Sequence, residues 1–272
     1  MALSLMAVAL CGVIFWLLRE PLAKSWRRRR LRSRAFPHEW REHIRRRFPY
    51  FSALPADLQI KLKRLVQVFL AETPFIGCNG LAITDEIRVT IAAQACLLLL
   101  NRRTDYFPNL REVLVYPDRF IVDREAANPT GLVTRQRQVL SGESWLTGQV
   151  ILSWQDVLEG AARPGDGHNV VIHEFAHQLD QETGPANGAP LMFGKLRYAR
   201  WADVLGREYA ELQQRASTGQ ESLISDYAAT SPAEFFAVVS ELFFERPRDL
   251  ASEHPSLYAQ FSDYYRVNPL SW

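Results

Sequence analysis

The sequence predicts an α+β fold, mainly helical with a small sheet, preceded by a membrane-spanning helix. Three observations predict it. The run from Val170 to Asp180 sets apolar residues at helical spacing around His173, Glu174 and His177. Short segments rich in Val, Ile, Phe and Tyr alternate with longer ones of helical period. Residues 2–18 carry no charge. At 272 residues, 47% hydrophobic and 23% charged, the chain has an ample core and the length of one large domain or two small ones. Cys11, Cys78 and Cys96 are scattered and form neither a disulfide framework nor a zinc knuckle, which fits a reducing compartment.

Residues 1–18 are expected to be a transmembrane anchor. Their apolar run is the short end of a spanning length, with Trp16 at one interface. Positive charge follows the run instead of preceding it, unlike a cleaved signal peptide. Residues 19–47 hold twelve Arg and Lys against three Glu, an excess of nine positive charges. With a net charge of +2 overall, the remainder is net negative by seven, which argues against a nucleic-acid-binding body. Broken by Pro37 and Pro49, residues 19–49 read as a basic juxtamembrane linker, with 19–47 held against anionic lipid head groups. The positive-inside bias places the body, residues 50–272, in the cytoplasm at the inner membrane; a purely cytoplasmic chain is the alternative.

Within the body, 55–72 has a helical period through Leu58, Leu62, Leu65, Val66 and Phe69. Thr84 is the candidate N-cap of a second helix over 85–101. Residues 111–122 read as two short strands across Pro117-Asp118. Val150 to Trp154 is another strand, a candidate edge for substrate backbone, followed by a short helix to Ala161. Gly165 and Gly167 precede the central helix, with Asp166 as its candidate N-cap. Residues 181–192 are loop and 195–216 helical. Ser231 caps a further helix with Pro232 at its first position. The aromatic tail from His254 is helix and core packing.

The chemistry concentrates in His173-Glu174-Phe175-Ala176-His177. Residues four apart share a helix face, so both imidazoles can point at one ion while Glu174 reaches water bound to it. A zinc site needs a third protein ligand. A metzincin-type extension is excluded, because Asp180 and Thr183 stand where its Gly and His would be. His254 lies in a Pro-containing, surface-like stretch. Glu234 and Glu241 are seven apart on one helical face amid Phe and Val, where a carboxylate is costly to bury unpaired. Ser231 and Glu234 also form a capping box, which would send Glu234 back to the backbone. Spacing leaves Glu234, Glu241 or neither as the ligand. Asp180, two turns after His173, can accept a ring N–H from a ligand histidine.

Four segments carry a resemblance: SGESWLTGQVILSW (141–154), HNVVIHEFAHQLD (168–180), DYAATSPAEFFAVVSELFF (226–244) and the tail around HPSLYAQF. Over about residues 50–272 the chain resembles the Mlc titration factor A family of bacterial zinc-dependent peptidases. Its metal-site pattern is similar to that of the anthrax lethal factor protease domain. The resemblance implies a zincin-like metallopeptidase domain with one Zn²⁺ on His173, His177 and Glu234. It implies Glu174 as general base and Tyr227 as transition-state stabiliser, where residue type alone suggests a core tyrosine. It also implies aminopeptidase-like hydrolysis of a peptide or protein substrate. A regulator that sequesters the transcriptional repressor Mlc in glucose-uptake control is the competing class. An intact Glu174 argues against it, because a structural metal site has no use for a base.

Overall fold

Helix-forming segments dominate the chain, and a small mixed sheet lies among them. The structure, a computed structural model, describes residues 19–102, 105–127, 133–140, 142–145 and 148–272. Helix α1 covers 19–33, followed by α2 (His38–Arg47), α3 (Tyr50–Ala53) and α4 (Ala56–Glu72). Strand β1 (Phe75–Gly77) leads to α5 (Asp85–Leu97), β2 (Glu112–Tyr116), β3 (Phe120–Ala127), β4 (Val133–Leu140), β5 (Gly142–Trp145) and β6 (Gln149–Ser153). Then come α6 (Trp154–Ala162), α7 (Val170–Asp180), α8 (Lys195–Thr218), α9 (Pro232–Glu245), α10 (Pro247–Glu253) and α11 (Pro255–Tyr265).

The main sheet has the order β1-β2-β6-β5. β1, β2 and β6 are parallel, and β5 runs antiparallel to β6 at the edge. Parallel neighbours need long crossovers, and the intervening helices supply cover for the sheet. Val113, Val115, Val150 and Leu152 are fully buried there. The two strands expected over 111–122 form but separate: β2 joins the main sheet, whereas β3 pairs only with β4 as its own antiparallel ribbon. The strand expected as an edge, β6, lies inside the sheet, and the outer position belongs to β5. Apolar runs of three to five residues mark a strand but carry no information on its neighbours.

The core is built around α5, α7 and α9. Every residue of α9 from Phe235 to Glu245 is buried, and α7 packs against it. Trp201 of α8 lies among Phe236, Phe261 and Tyr264, tying α8 and the tail helix α11 to α9. His254, expected at the surface, is buried, and its Nδ1 lies 2.7 Å from Glu208.

Two expectations for the front of the chain need correction. The fold class of the described residues is mostly helical with a small mixed sheet. Among the described residues no helix is long and apolar enough to cross a membrane, and residues 1–18, where the anchor was expected, lie outside the described residues. The stretch read as linker is helical, because Pro37 and Pro49 sit at the N-caps of α2 and α3, where a missing N–H costs nothing. Several of its basic side chains find partners in the body. Arg28 engages both oxygens of Glu72 through Nε at 3.0 Å, also pairs with Asp105, and lies over the Tyr106 ring. Lys24 reaches Asp105 at 2.7 Å, and Arg46 and Arg47 share Glu86 at 2.9 and 2.7 Å. These partners are remote in sequence, so a run of arginines could not reveal them.

Candidate metal centre

Helix α7 starts at Asn169, whose side-chain oxygen accepts the Ile172 N–H at 3.1 Å. Asp166, the expected cap, accepts the His168 N–H at 2.8 Å in the preceding loop. Both residue types cap helices, so type alone could not choose between them. Val171, Ile172, Phe175, Ala176 and Leu179 are fully buried and fix the rotation of the helix. That rotation turns His173 and His177 to the carboxylates of α9 and Glu174 to strand β5. Helix α9 starts as expected: Ser231 Oγ accepts the Glu234 N–H at 3.2 Å, with Pro232 at the first position.

The Glu234 carboxylate turns towards the histidines. Its Oε2 lies 3.0 Å from His173 Nε2 and 3.4 Å from His177 Nε2, and the two Nε2 atoms are 3.2 Å apart. Bonds of about 2.0–2.1 Å in a tetrahedral site put ligand atoms about 3.3–3.4 Å apart. The triangle therefore matches one face of such a tetrahedron, with a position left for water. Two nitrogens and one carboxylate oxygen form a donor set suited to a first-row divalent metal. Among the described residues, these three form the group able to hold a metal ion.

Glu241, weighed as a ligand from spacing, lies on the far side of the His173 ring, with Oε1 2.7 Å from Nδ1. With the Nδ1 proton donated to Glu241, a neutral ring would have its Nε2 lone pair free for a metal shared with Glu234 and His177. Burial lowers the His173 pKa, but Glu241 and Glu234 outweigh it and hold the ring well above its ordinary value. Burial opposes ionisation of Glu234, yet hydrogen bonds from His173 and His177 hold its carboxyl far below the usual carboxylate range. The pocket thus stabilises positive charge between its carboxylates.

Glu174 is buried, and burial raises its carboxyl to about 7 against the opposing pull of both histidines. Its Oε2 is a buried oxygen with no hydrogen-bond partner. Strand β5 crosses directly over it: a Cβ on Gly142 would lie 2.6 Å from Glu174 Oε1 and 2.7 Å from Val170 Cγ2. Tyr227 sits on a 3₁₀ turn (Asp226–Thr230) and is 55% exposed, not a core tyrosine. Its ring centroid is 6.1 Å from that of His173. The same cavity, about 600 Å³, is lined by Gly142, His173, Glu174, Tyr227, Glu241 and Arg163. Asp180 Oδ2 accepts the Gly188 N–H at 2.7 Å, while Oδ1 is buried without a hydrogen-bond partner and the carboxylate interacts electrostatically with His177; Trp201 Nε1 donates to the Gly188 carbonyl. A Cβ at Gly188 would lie 2.4 Å from the Pro232 carbonyl oxygen, so the loop after α7 can pack on α9 only with glycine there. Sequence reasoning missed Gly142, Asn169 and the place of Glu241, because each depends on contacts between distant elements.

The profile of the glucose-regulated metallopeptidase family M90 matches residues 23–266. The chain belongs to the M90 metallopeptidase family. Among its relatives, the Synechocystis sp. protein slr2042 is 39% identical over 269 residues, covering 98% of each chain. Mlc titration factor A of Klebsiella pneumoniae is 38% identical over 227 residues, 82% of this chain and 84% of its own. The Mlc titration factor A of Escherichia fergusonii is 37% identical over 243 residues, 88% and 89%. The M90 match begins inside α1, well before residue 50, where the motif resemblance began.

Proposed function

We propose that this M90 protein is a zinc-dependent peptidase with one zinc on His173, His177 and Glu234. The observation that carries it is the buried, partnerless Glu174 oxygen beside a three-ligand face of tetrahedral size. A zinc ion there would polarise the scissile carbonyl and lower the pKa of bound water towards ~7. Glu174, with a carboxyl raised to about 7, is poised to take a proton from that water and deliver it to the leaving amine. Tyr227, which lines the same cavity, would donate to the developing oxyanion, worth ~2–4 kcal/mol by comparison with other oxyanion donors. Asp180 holds the loop after α7 in place. An aminopeptidase-like preference follows from the family resemblance.

The relatives' name favours a second reading, in which the chain titrates the repressor Mlc as a binding protein. One experiment separates the two: metal content and peptide hydrolysis of the purified full chain, with and without chelator, for the native protein and Glu174→Gln. The peptidase reading expects about one zinc per chain in both proteins and hydrolysis only in the native one. Equal hydrolysis by Glu174→Gln, or a metal-loaded native chain inert towards peptides, would overturn it.

A further inference from the structure

One buried network outside the three ligands has no assigned purpose. The two oxygens of Glu241 are divided. Oε1 meets His173 Nδ1 at 2.7 Å, and Oε2 accepts the Asn169 N–H at 2.5 Å. Asn169 is itself held twice through its side chain. Its Oδ1 caps α7, and its Nδ2 donates to Glu245 Oε1 at 3.2 Å. Glu245 Oε2 in turn accepts the Gly165 N–H at 2.8 Å and the Tyr50 hydroxyl. Glu241 and Glu245 are one turn apart on α9, both 5% exposed. The bonds therefore run from Tyr50 on α3 through Glu245, Asn169 and Glu241 to His173.

Burying two carboxylates one turn apart beside a third, Glu174, is unfavourable for stability alone. Their bonds have a consistent geometric effect. Glu241 fixes the His173 tautomer and ring plane, and Asn169 fixes Glu241. Glu245 and Tyr50 fix Asn169, which also starts the helix bearing both histidines. We propose that Glu241 is the positioning residue for His173, and that Glu245 acts on the metal site only through Asn169 and Glu241. This rests on the metal-binding reading above.

The test measures Zn²⁺ affinity of the full chain by competition with a chromophoric chelator, with the Co²⁺ absorption bands as a second readout. Variants are Glu241→Gln, Glu241→Asp, Glu245→Gln, the Glu241→Gln/Glu245→Gln double variant and His173→Ala. Glu241→Gln should weaken Zn²⁺ binding about 10–100-fold and shift the Co²⁺ bands, as loss of a carboxylate partner does elsewhere. Glu241→Asp keeps the charge but withdraws the oxygen, so it should also weaken binding; it carries the test if the Gln variant fails to fold. Glu245→Gln should weaken binding several-fold, and the double variant should match Glu241→Gln alone, because the second residue acts through the first. Additive losses would overturn the relay, and native affinity in both Glu241 variants would overturn the positioning role. If native chain and His173→Ala bind Zn²⁺ alike, the metal-binding reading fails and takes this proposal with it. Loss in His173→Ala with native affinity in the Glu241 variants sinks the positioning role alone.

Discussion

Gly142 and Glu174 meet where an edge strand crosses a buried carboxylate, and a Cβ at Gly142 would overlap the side chains of Glu174 and Val170. Gly142→Ala should push Glu174 aside, since its Cβ would sit 2.6 Å from Oε1. The expected outcome is hydrolysis lowered at least tenfold with metal content unchanged; a fully active Ala variant would show that the strand shifts freely. Glu234 separates capping from ligation. Ser231→Ala should cost ~1 kcal/mol of stability and keep metal, while Glu234→Ala should lose metal. Metal analysis beside urea unfolding checks both. His173, Glu174 and His177 were legible because four-residue spacing on a helix is itself geometric information. Glu234 and Glu241 were not separable from spacing, because seven residues return both to one face. Which of them reaches Nε2 and which Nδ1 depends on the offset between α7 and α9, and no single helix encodes that offset.

At the scale of elements, helices read well where local signals set their ends. Thr84 accepts the Ile87 N–H to start α5, and Ser231 starts α9, both as the residue types suggest. The C-terminal end of α5 and the start of α7 were displaced by a few residues, where more than one residue could cap or terminate. The basic front read poorly, since charge composition says nothing about distant acids. Helix α1 instead docks through Arg28, whose side chain is only 14% exposed between Glu72 and Asp105. Arg28→Ala should destabilise the fold by ~1–2 kcal/mol, because it removes the cation that Glu72 and Asp105 share and leaves Glu72 only the exposed Arg27 and Asp105 only Lys24. Arg29→Ala, at an exposed position, should change stability by less than ~0.5 kcal/mol. Urea midpoints of the two variants make the comparison; equal values would mean that α1 contributes nothing through this pair.

For the whole molecule, buried carboxylates set the pH dependence of stability. Burial raises Glu245 to about 7, and Glu182, packed with Arg102, likewise to about 7. In the unfolded chain both titrate near 4.5. Between these values the folded state holds protons that the unfolded state has released, so stability falls as pH rises from 4.5 through 7. Each group contributes at most on the order of 3 kcal/mol to that decline. The chelated chain should therefore melt higher at pH 5.5 than at pH 8, and Glu245→Gln should flatten the difference. A melting temperature that climbs over this interval would contradict the assignment. Asp105 works at the other end: burial opposes its ionisation, but Lys24 and Arg28 pull its carboxyl down to about 2. Its contribution is present above its ordinary 3.8 and fades as pH falls towards 2.

The crowding of Glu174, Glu234 and Glu241 around two imidazoles has a consequence for the life of the protein in a cell. A cation that binds the folded chain and not the unfolded one stabilises it by about 4 kcal/mol at a thousand times its dissociation constant. A shift of 1–2 kcal/mol is enough to change steady-state abundance several-fold through proteolytic turnover. A metal-starved cell should therefore clear this chain faster, so that its quantity, and not only its activity, follows the supply of the ion.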